Sequence, residues 1–137
     1  MSWFRRWFDG RSRASEQALA ARVEALAARI DAAVPALAKT RSSTKKLELY
    51  AELVEASEAL QALELRGEAT ITPPPSQILP GFRREREELI RSEIEEIARK
   101  AMAASEAATV EKRAAIVQKS VQKAAEWEGL LPEGRVA

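Results

Sequence analysis

Apolar side chains recur at intervals of three and four residues over most of the chain, which is the spacing of one helix face. The first such stripe follows residue 14 and consists of Leu19, Val23, Leu26, Ile30, Val34 and Leu37. The second follows hydroxyl side chains at residues 42–44, ends before Gly67, and consists of Leu47, Tyr50, Leu53, Ser57, Leu60 and Leu63. Because only a few polar residues separate the two stripes, we expect an antiparallel helical hairpin over residues 14–67. Pro35 predicts a kink or an end of the first helix near Val34.

Residues 83–128 carry two further stripes that are out of phase by about one residue, or 100°. They consist of Ile90, Ile94, Ile97, Ala101 and Ala104, and then Val110, Ala114, Val117, Val121, Ala124 and Trp127. One interpretation is a single helix of roughly 69 Å whose apolar seam rotates. The other is a second hairpin that turns between Ser105 and Thr109, which the small radius expected of a compact chain favours. Gly129, Pro132 and Gly134 leave residues 129–137 as a C-terminal tail.

Between the two helical regions, residues 68–82 contain Pro73, Pro74 and Pro75 in succession, followed by Pro80-Gly81. Consecutive prolines predict an extended polyproline conformation, and Pro-Gly suits a turn. A linker without contacts would be polar, whereas this segment carries Ile71, Ile78, Leu79 and Phe82. We therefore expect an extended proline-rich arm that contacts protein through these four side chains.

Residues 1–10 hold four of the chain's seven aromatic residues, namely Trp3, Phe4, Trp7 and Phe8. On a helix these rings fall within a sector of about 140°, with Arg5 and Arg6 pointing away. Two turns are too few for a stable isolated helix, so the amphipathic segment needs a surface to lie on. That surface is a groove on another protein, a membrane interface, or the chain's own core.

Composition places the chain in the all-α class, as antiparallel helical hairpins or an elongated coiled-coil-like bundle, since it is rich in alanine, charged residues and leucine. The net charge is only +1, and the arginines of residues 1–13 account for the excess, so nucleic-acid binding is not expected. The chain has no histidine and no cysteine, and its five glycines form no phosphate-binding loop. We therefore expect no enzymatic activity, cofactor, metal or small-molecule substrate. We also expect no membrane span and no secretory signal, because no apolar stretch approaches about 20 residues.

The opening residues Met-Ser-Trp-Phe-Arg-Arg resemble those of phage head and portal-associated proteins, and also those of peripheral membrane proteins. The first resemblance implies a non-enzymatic structural or adaptor protein of a virion or cytoplasmic assembly, with other subunits and copies of itself as partners. The alternative is a peripheral scaffold anchored to the inner membrane by the N-terminal segment. The candidate partner-binding residues are Trp3, Phe4, Trp7, Phe8, Ile71, Ile78, Leu79, Phe82 and Trp127.

Overall fold

The computed structural model describes residues 5–7 and 13–132 of the chain, with side chains from residue 15 onward. Within those residues the chain is dominated by four helices, which confirms the all-α class. The elements follow in the order β1 (Arg5–Trp7), α1 (Arg13–Lys39), α2 (Ser43–Leu65), β2 (Thr70–Thr72), α3 (Pro75–Glu106) and α4 (Val110–Glu128). They fall into a first unit, Met1–Glu85, and a second unit, Arg86–Ala137.

The first unit is built on helices α1 and α2, which pack against each other along their length. Both predicted stripes contribute to one apolar core, whose buried members on the helices are Val23, Ala27, Ile30, Ala33, Leu53, Ala56, Leu60 and Leu63. Arg29 of α1 donates a hydrogen bond to Glu52 of α2, and this bond lowers the pKa of the Glu52 carboxyl group. The alanines in the core bring the two helix backbones close together.

Capping residues set the bounds of α2. The Ser42 side chain accepts a hydrogen bond from the backbone N–H of Lys45 at 3.3 Å. At the other end Gly67 adopts φ +70°, and the Glu68 N–H donates to the Leu63 carbonyl at 3.0 Å. This is the Schellman ending that glycine favours. Helix α1, by contrast, continues past Pro35 to Lys39, so an end at Val34 is wrong.

The prediction of an extended proline-rich arm over residues 68–82 is also wrong for most of that segment. Helix α3 begins at Pro75, not near Arg83, and contains Pro80 and Gly81. Proline is tolerated in the first helical turn because the N–H groups there have no intrahelical acceptor. Pro73 and Pro74 therefore precede the helix, and Pro75 is its first residue. The run of three prolines alone favours an extended segment instead.

A short antiparallel ribbon replaces the predicted N-terminal helix where the structure describes that segment. Strand β1 pairs with β2, with Arg6 opposite Ile71 and Trp7 opposite Thr70. The backbone of β2 offers hydrogen-bond partners from outside the segment, whereas an isolated two-turn helix must rely on itself. The helical prediction is therefore wrong for residues 5–7. Trp3, Phe4 and Phe8 lie outside the described residues.

The second unit contains the C-terminal part of α3 and all of α4, joined by a turn at residues 107–109. Near the turn, Arg113 Nε donates a hydrogen bond to the Ser105 carbonyl at 2.8 Å. At the far end, Arg86 Nη1 donates to the Leu130 carbonyl at 3.1 Å. Helix α4 therefore runs back antiparallel to α3, and residues 83–128 do not form one long helix.

Candidate interaction surface

Helix α4 is held in the second unit without a core of its own. The structure describes every residue of α4, and none of them is buried. Its inward side carries Ile116, Ser120 and Lys123, which line a groove with Ile97 and Ala101 of α3. Ile97 is buried, but Ile116 is only partly covered. The buried apolar residues described in the second unit are therefore Ile90, Ile97 and Leu131, and α4 contributes only partly covered side chains such as Ile116.

Much of the predicted apolar stripe of α4 is exposed. Its three valines are strongly exposed: 75% for Val110, 50% for Val117 and 61% for Val121. The spacing of the stripe fits pairing within the chain or with another chain, and in the structure the three valines form no buried seam against the described residues. The inward position is Ile116, which the sequence interpretation missed because it is a single large apolar residue outside the regular 4-3-4-3 spacing. A search for isolated large apolar residues beside the stripe would have found it.

Exposed side chains of α3 extend the stripe into a wider apolar surface. Met102 is 67% exposed, and it lines a shallow groove with Ala98, Ser105 and Val117. Val110 and Val121 lie within about 40° of Val117 around α4, so they share this side of the hairpin. We call Ala98, Met102, Val110, Val117 and Val121 together the valine face.

The opposite side of the hairpin is charged. The groove between Ile116 and Ile97 opens on this side and encloses about 270 Å³. Its lining also includes the charged residues Lys100, Lys119, Lys123, Glu93 and Glu96. Glu96 accepts a hydrogen bond from Arg99, which lowers the pKa of its carboxyl group, and lies 3.8 Å from Lys100 Nζ. This side has the character of a solvated, ion-paired helix surface. Ile97, Ala101 and Ile116 line the same groove, so this side combines apolar and charged side chains.

The residues predicted to bind partners differ in how far the structure buries them. Ile71 and Leu79 are buried, each about 1% exposed, and Ile71 belongs to the core of the first unit. Ile78 and Phe82 are partly buried and pack against that core. The interpretation of Ile71 and Leu79 as docking residues is therefore corrected, because their surfaces are already covered by the chain itself.

The aromatic candidates are not brought together with the valine face by anything the structure describes. Trp127 is half-buried on α4. The backbone of Trp7 lies in β1, and Trp3, Phe4 and Phe8 are outside the described residues. The partner-binding role of the aromatic N-terminal segment therefore remains a prediction from the sequence.

The described residues thus form helical hairpins, one of which carries an apolar face that no other described residue covers. No protein-family model, curated protein or solved structure matches the chain. Across the described residues, no helix combines the length and apolarity needed to cross a membrane. In the same part of the chain, no three acidic side chains are grouped so as to hold a metal ion.

Proposed function

We infer that the chain is a non-enzymatic structural or adaptor protein that docks into a larger assembly through its valine face. One observation carries this proposal. Within the described residues, four of the five large apolar side chains with strong exposure lie on that face, and Leu65 is the exception. Exposed apolar residues are normal when scattered, whereas a contiguous group marks a site of interaction.

Energetics support a protein partner for the valine face. Full burial of a valine or methionine side chain stabilises by about 1.5–3 kcal/mol relative to exposure. The side chains of Met102, Val110, Val117 and Val121 are at least half exposed, so each retains roughly 1 kcal/mol or more of that gain for a partner that covers it. In the folded chain alone these side chains stay largely exposed, so this stabilisation is not gained.

The kind of assembly is proposed from the N-terminal sequence. The opening Met-Ser-Trp-Phe-Arg-Arg resembles openings of phage head and portal-associated proteins, which supports a particle component. In this proposal the aromatic segment is a second docking element beside the valine face. Absence of histidine and cysteine from the chain supports a non-enzymatic role, since these are the commonest general base and the most reactive nucleophile.

Sedimentation of the chain in extracts of its own organism tests the proposal. The natural chain is expected in heavy sucrose-gradient fractions with its assembly, and the Val117→Asp/Val121→Asp variant in light ones. The matched control is Ala115→Asp/Gln122→Asp, which adds the same charge to exposed positions on the other side of α4. The control should sediment with the natural chain. If the natural chain stays in light fractions, or the control is released equally, the proposed function is wrong.

A peripheral membrane scaffold is the competing function, favoured by the arginines that accompany the N-terminal aromatic residues. Flotation with vesicles of anionic lipid separates the two. The membrane function predicts that the natural chain floats with the vesicles, and that flotation is lost at high salt and in the Arg5→Ala/Arg6→Ala variant. If the Val117→Asp/Val121→Asp variant still floats, the membrane function is established instead.

A further inference from the structure

We propose that the valine face binds a second copy of this chain, with α4 packed antiparallel against α4 of the partner subunit. The inference rests on the proposed function, because it names the partner of the same face. The near-symmetry of the exposed stripe, the charges beside it and the area of the face support this pairing.

The central part of the stripe on α4 is symmetric about Lys119, whereas Val110, nine residues before this position, is matched by Glu128, nine residues after it. Val117 and Val121 lie two residues on either side of this position, and Ala114 and Ala124 lie five residues on either side. In a two-fold interface a residue that contacts another is contacted by it in return. An antiparallel pair of α4 helices centred near Lys119 therefore places Val117 against Val121 of the partner subunit. It also places Ala114 against Ala124 of the partner subunit, so small side chains flank the valines and the helices can approach closely.

The same axis places α3 against its own copy. Arg113 contacts Ser105, and Val117 shares a groove with Ala98 and Met102, so Lys119 lies at about the level of Ala98 along the hairpin. Ala98 is an exposed member of the valine face. A two-fold axis through this level puts Ala98 next to Ala98 of the partner subunit.

Charges at the edge of the α3 pair are complementary in this arrangement. Arg91 precedes Ala98 by seven residues and Glu106 follows it by eight. Both lie on the Ala98 and Met102 side of α3, and Glu106 lines the same groove as Met102. The antiparallel pairing therefore sets Arg91 opposite Glu106 of the partner subunit, at both ends of the interface. A two-fold axis parallel to the helices would instead bring Glu111 of α4 near Glu106 of the partner subunit, which is repulsive.

The area of the face is sufficient for a specific dimer. Helix α4 has 19 residues, which corresponds to about 28 Å of length. Two adjacent helices of about 10 Å diameter give a face roughly 20 Å wide, and so about 560 Å² per copy. The total of about 1,100 Å² exceeds the roughly 1,000 Å² expected of a biological interface and lies below the standard size. We therefore expect a reversible dimer.

Single cysteines test the geometry without interference, because the chain contains no cysteine. Ala98→Cys lies on the proposed axis, and Lys119→Cys lies at the same level on the charged side of the hairpin. Both positions are exposed, so neither change removes a core contact. On mild oxidation of the purified full chain, Ala98→Cys is expected to form a disulfide-linked dimer at least tenfold faster than Lys119→Cys. Equal rates, or faster crosslinking at Lys119→Cys, would overturn the proposal.

The mass in solution and a charge exchange test the pairing independently. Sedimentation equilibrium of the natural chain should give twice the 15.1 kDa of one copy at high concentration, and Val117→Asp/Val121→Asp should give 15.1 kDa. Arg91→Glu should weaken dimerisation about tenfold by setting like charges opposite each other, and adding Glu106→Arg should restore it. A 15.1 kDa natural chain at every concentration, or no restoration by the second charge change, contradicts the inference.

Failure of this inference differs from failure of the proposed function. A chain that is monomeric when purified, yet leaves its assembly in the Val117→Asp/Val121→Asp variant, keeps the adaptor function and loses the self-pairing. A chain that dimerises through the valine face but never enters a heavy assembly supports the pairing and contradicts the adaptor function.

Discussion

The assignment of Ile71 to the core of the first unit predicts a large loss of stability in Ile71→Ala. Ile71 is the middle residue of β2, it is about 1% exposed, and Thr70 and Thr72 on either side are exposed. The change removes three buried carbon atoms, worth about 2.4 kcal/mol in transfer free energy. The cavity that remains adds to this cost, so the free energy of unfolding of the first unit should fall by about 3 kcal/mol. Since a small domain is stable by only about 5–15 kcal/mol, this is a substantial fraction.

The measurement is a urea titration of the full chain combined with hydrogen exchange of peptides from α2, which report the first unit separately from the second. Thr72→Ala is the matched control, because it changes an exposed residue of the same strand and should cost less than about 1 kcal/mol. If Ile71→Ala loses under 1 kcal/mol and instead releases the chain from its assembly, then Ile71 is a partner-binding residue and its assignment to the core is wrong.

Two further predictions concern the first unit and the residues just beyond α2. Gly67→Ala should destabilise by about 1–2 kcal/mol because φ is +70° there, whereas Gly81→Ala, inside α3 with no atom within 4 Å of a new Cβ, should stabilise by about 0.5–1 kcal/mol. The same sign for both in urea titrations would contradict the backbone assignment. Ser57→Ala should stabilise by about 1 kcal/mol, since the Ser57 hydroxyl is buried in α2 without a hydrogen-bond partner among the described residues. The reverse change at buried Ala56, Ala56→Ser, should destabilise, and a loss of stability in Ser57→Ala would show that its hydroxyl is hydrogen bonded.

Sequence reasoning predicted the first two helices well because most of each stripe packs against the other. Leu19 to Leu37 and Tyr50 to Leu63 face each other in one core, so periodicity alone identifies the buried positions. The helix ends at Ser42 and Gly67 were equally predictable from the sequence, since only a few residue types bond the free backbone groups at a helix end or adopt the conformation needed there. These features depend on local sequence and on one contact surface.

The ribbon and the start of α3 could not be predicted for a different reason. Strands β1 and β2 have three residues each, which is too short for an alternating pattern to develop. Their pairing is set by contacts between segments far apart in the chain. At Pro75 the same residue type is compatible with an extended arm and with the first turn of a helix, and burial of Pro75 and Leu79 decides between them.

Helix α4 illustrates a limit of periodicity as a guide to function. The spacing of Val110, Val117 and Val121 identified an apolar side correctly, but it could not show which neighbour that side faces. In the structure Ile116 and Ser120 are partly covered beside α3, whereas Val117 borders a shallow groove with α3 and stays exposed, as do Val110 and Val121. A regular apolar stripe is therefore equally consistent with an internal seam and with a docking surface, and only the tertiary arrangement separates them.

The contrast between the two units supports a division between a self-contained body and a partner-dependent hairpin. The first unit buries the central residues of both apolar stripes in one core. In the second unit no residue of α4 is fully buried, and an isolated helix of 19 residues is marginal in water. The hydrogen bonds of Arg113 and Arg86 fix its ends, but they cannot supply the free energy of an apolar core. In the proposed docking, a partner that covers the valine face would add the apolar contacts that α4 lacks, so that docking would also stabilise the hairpin.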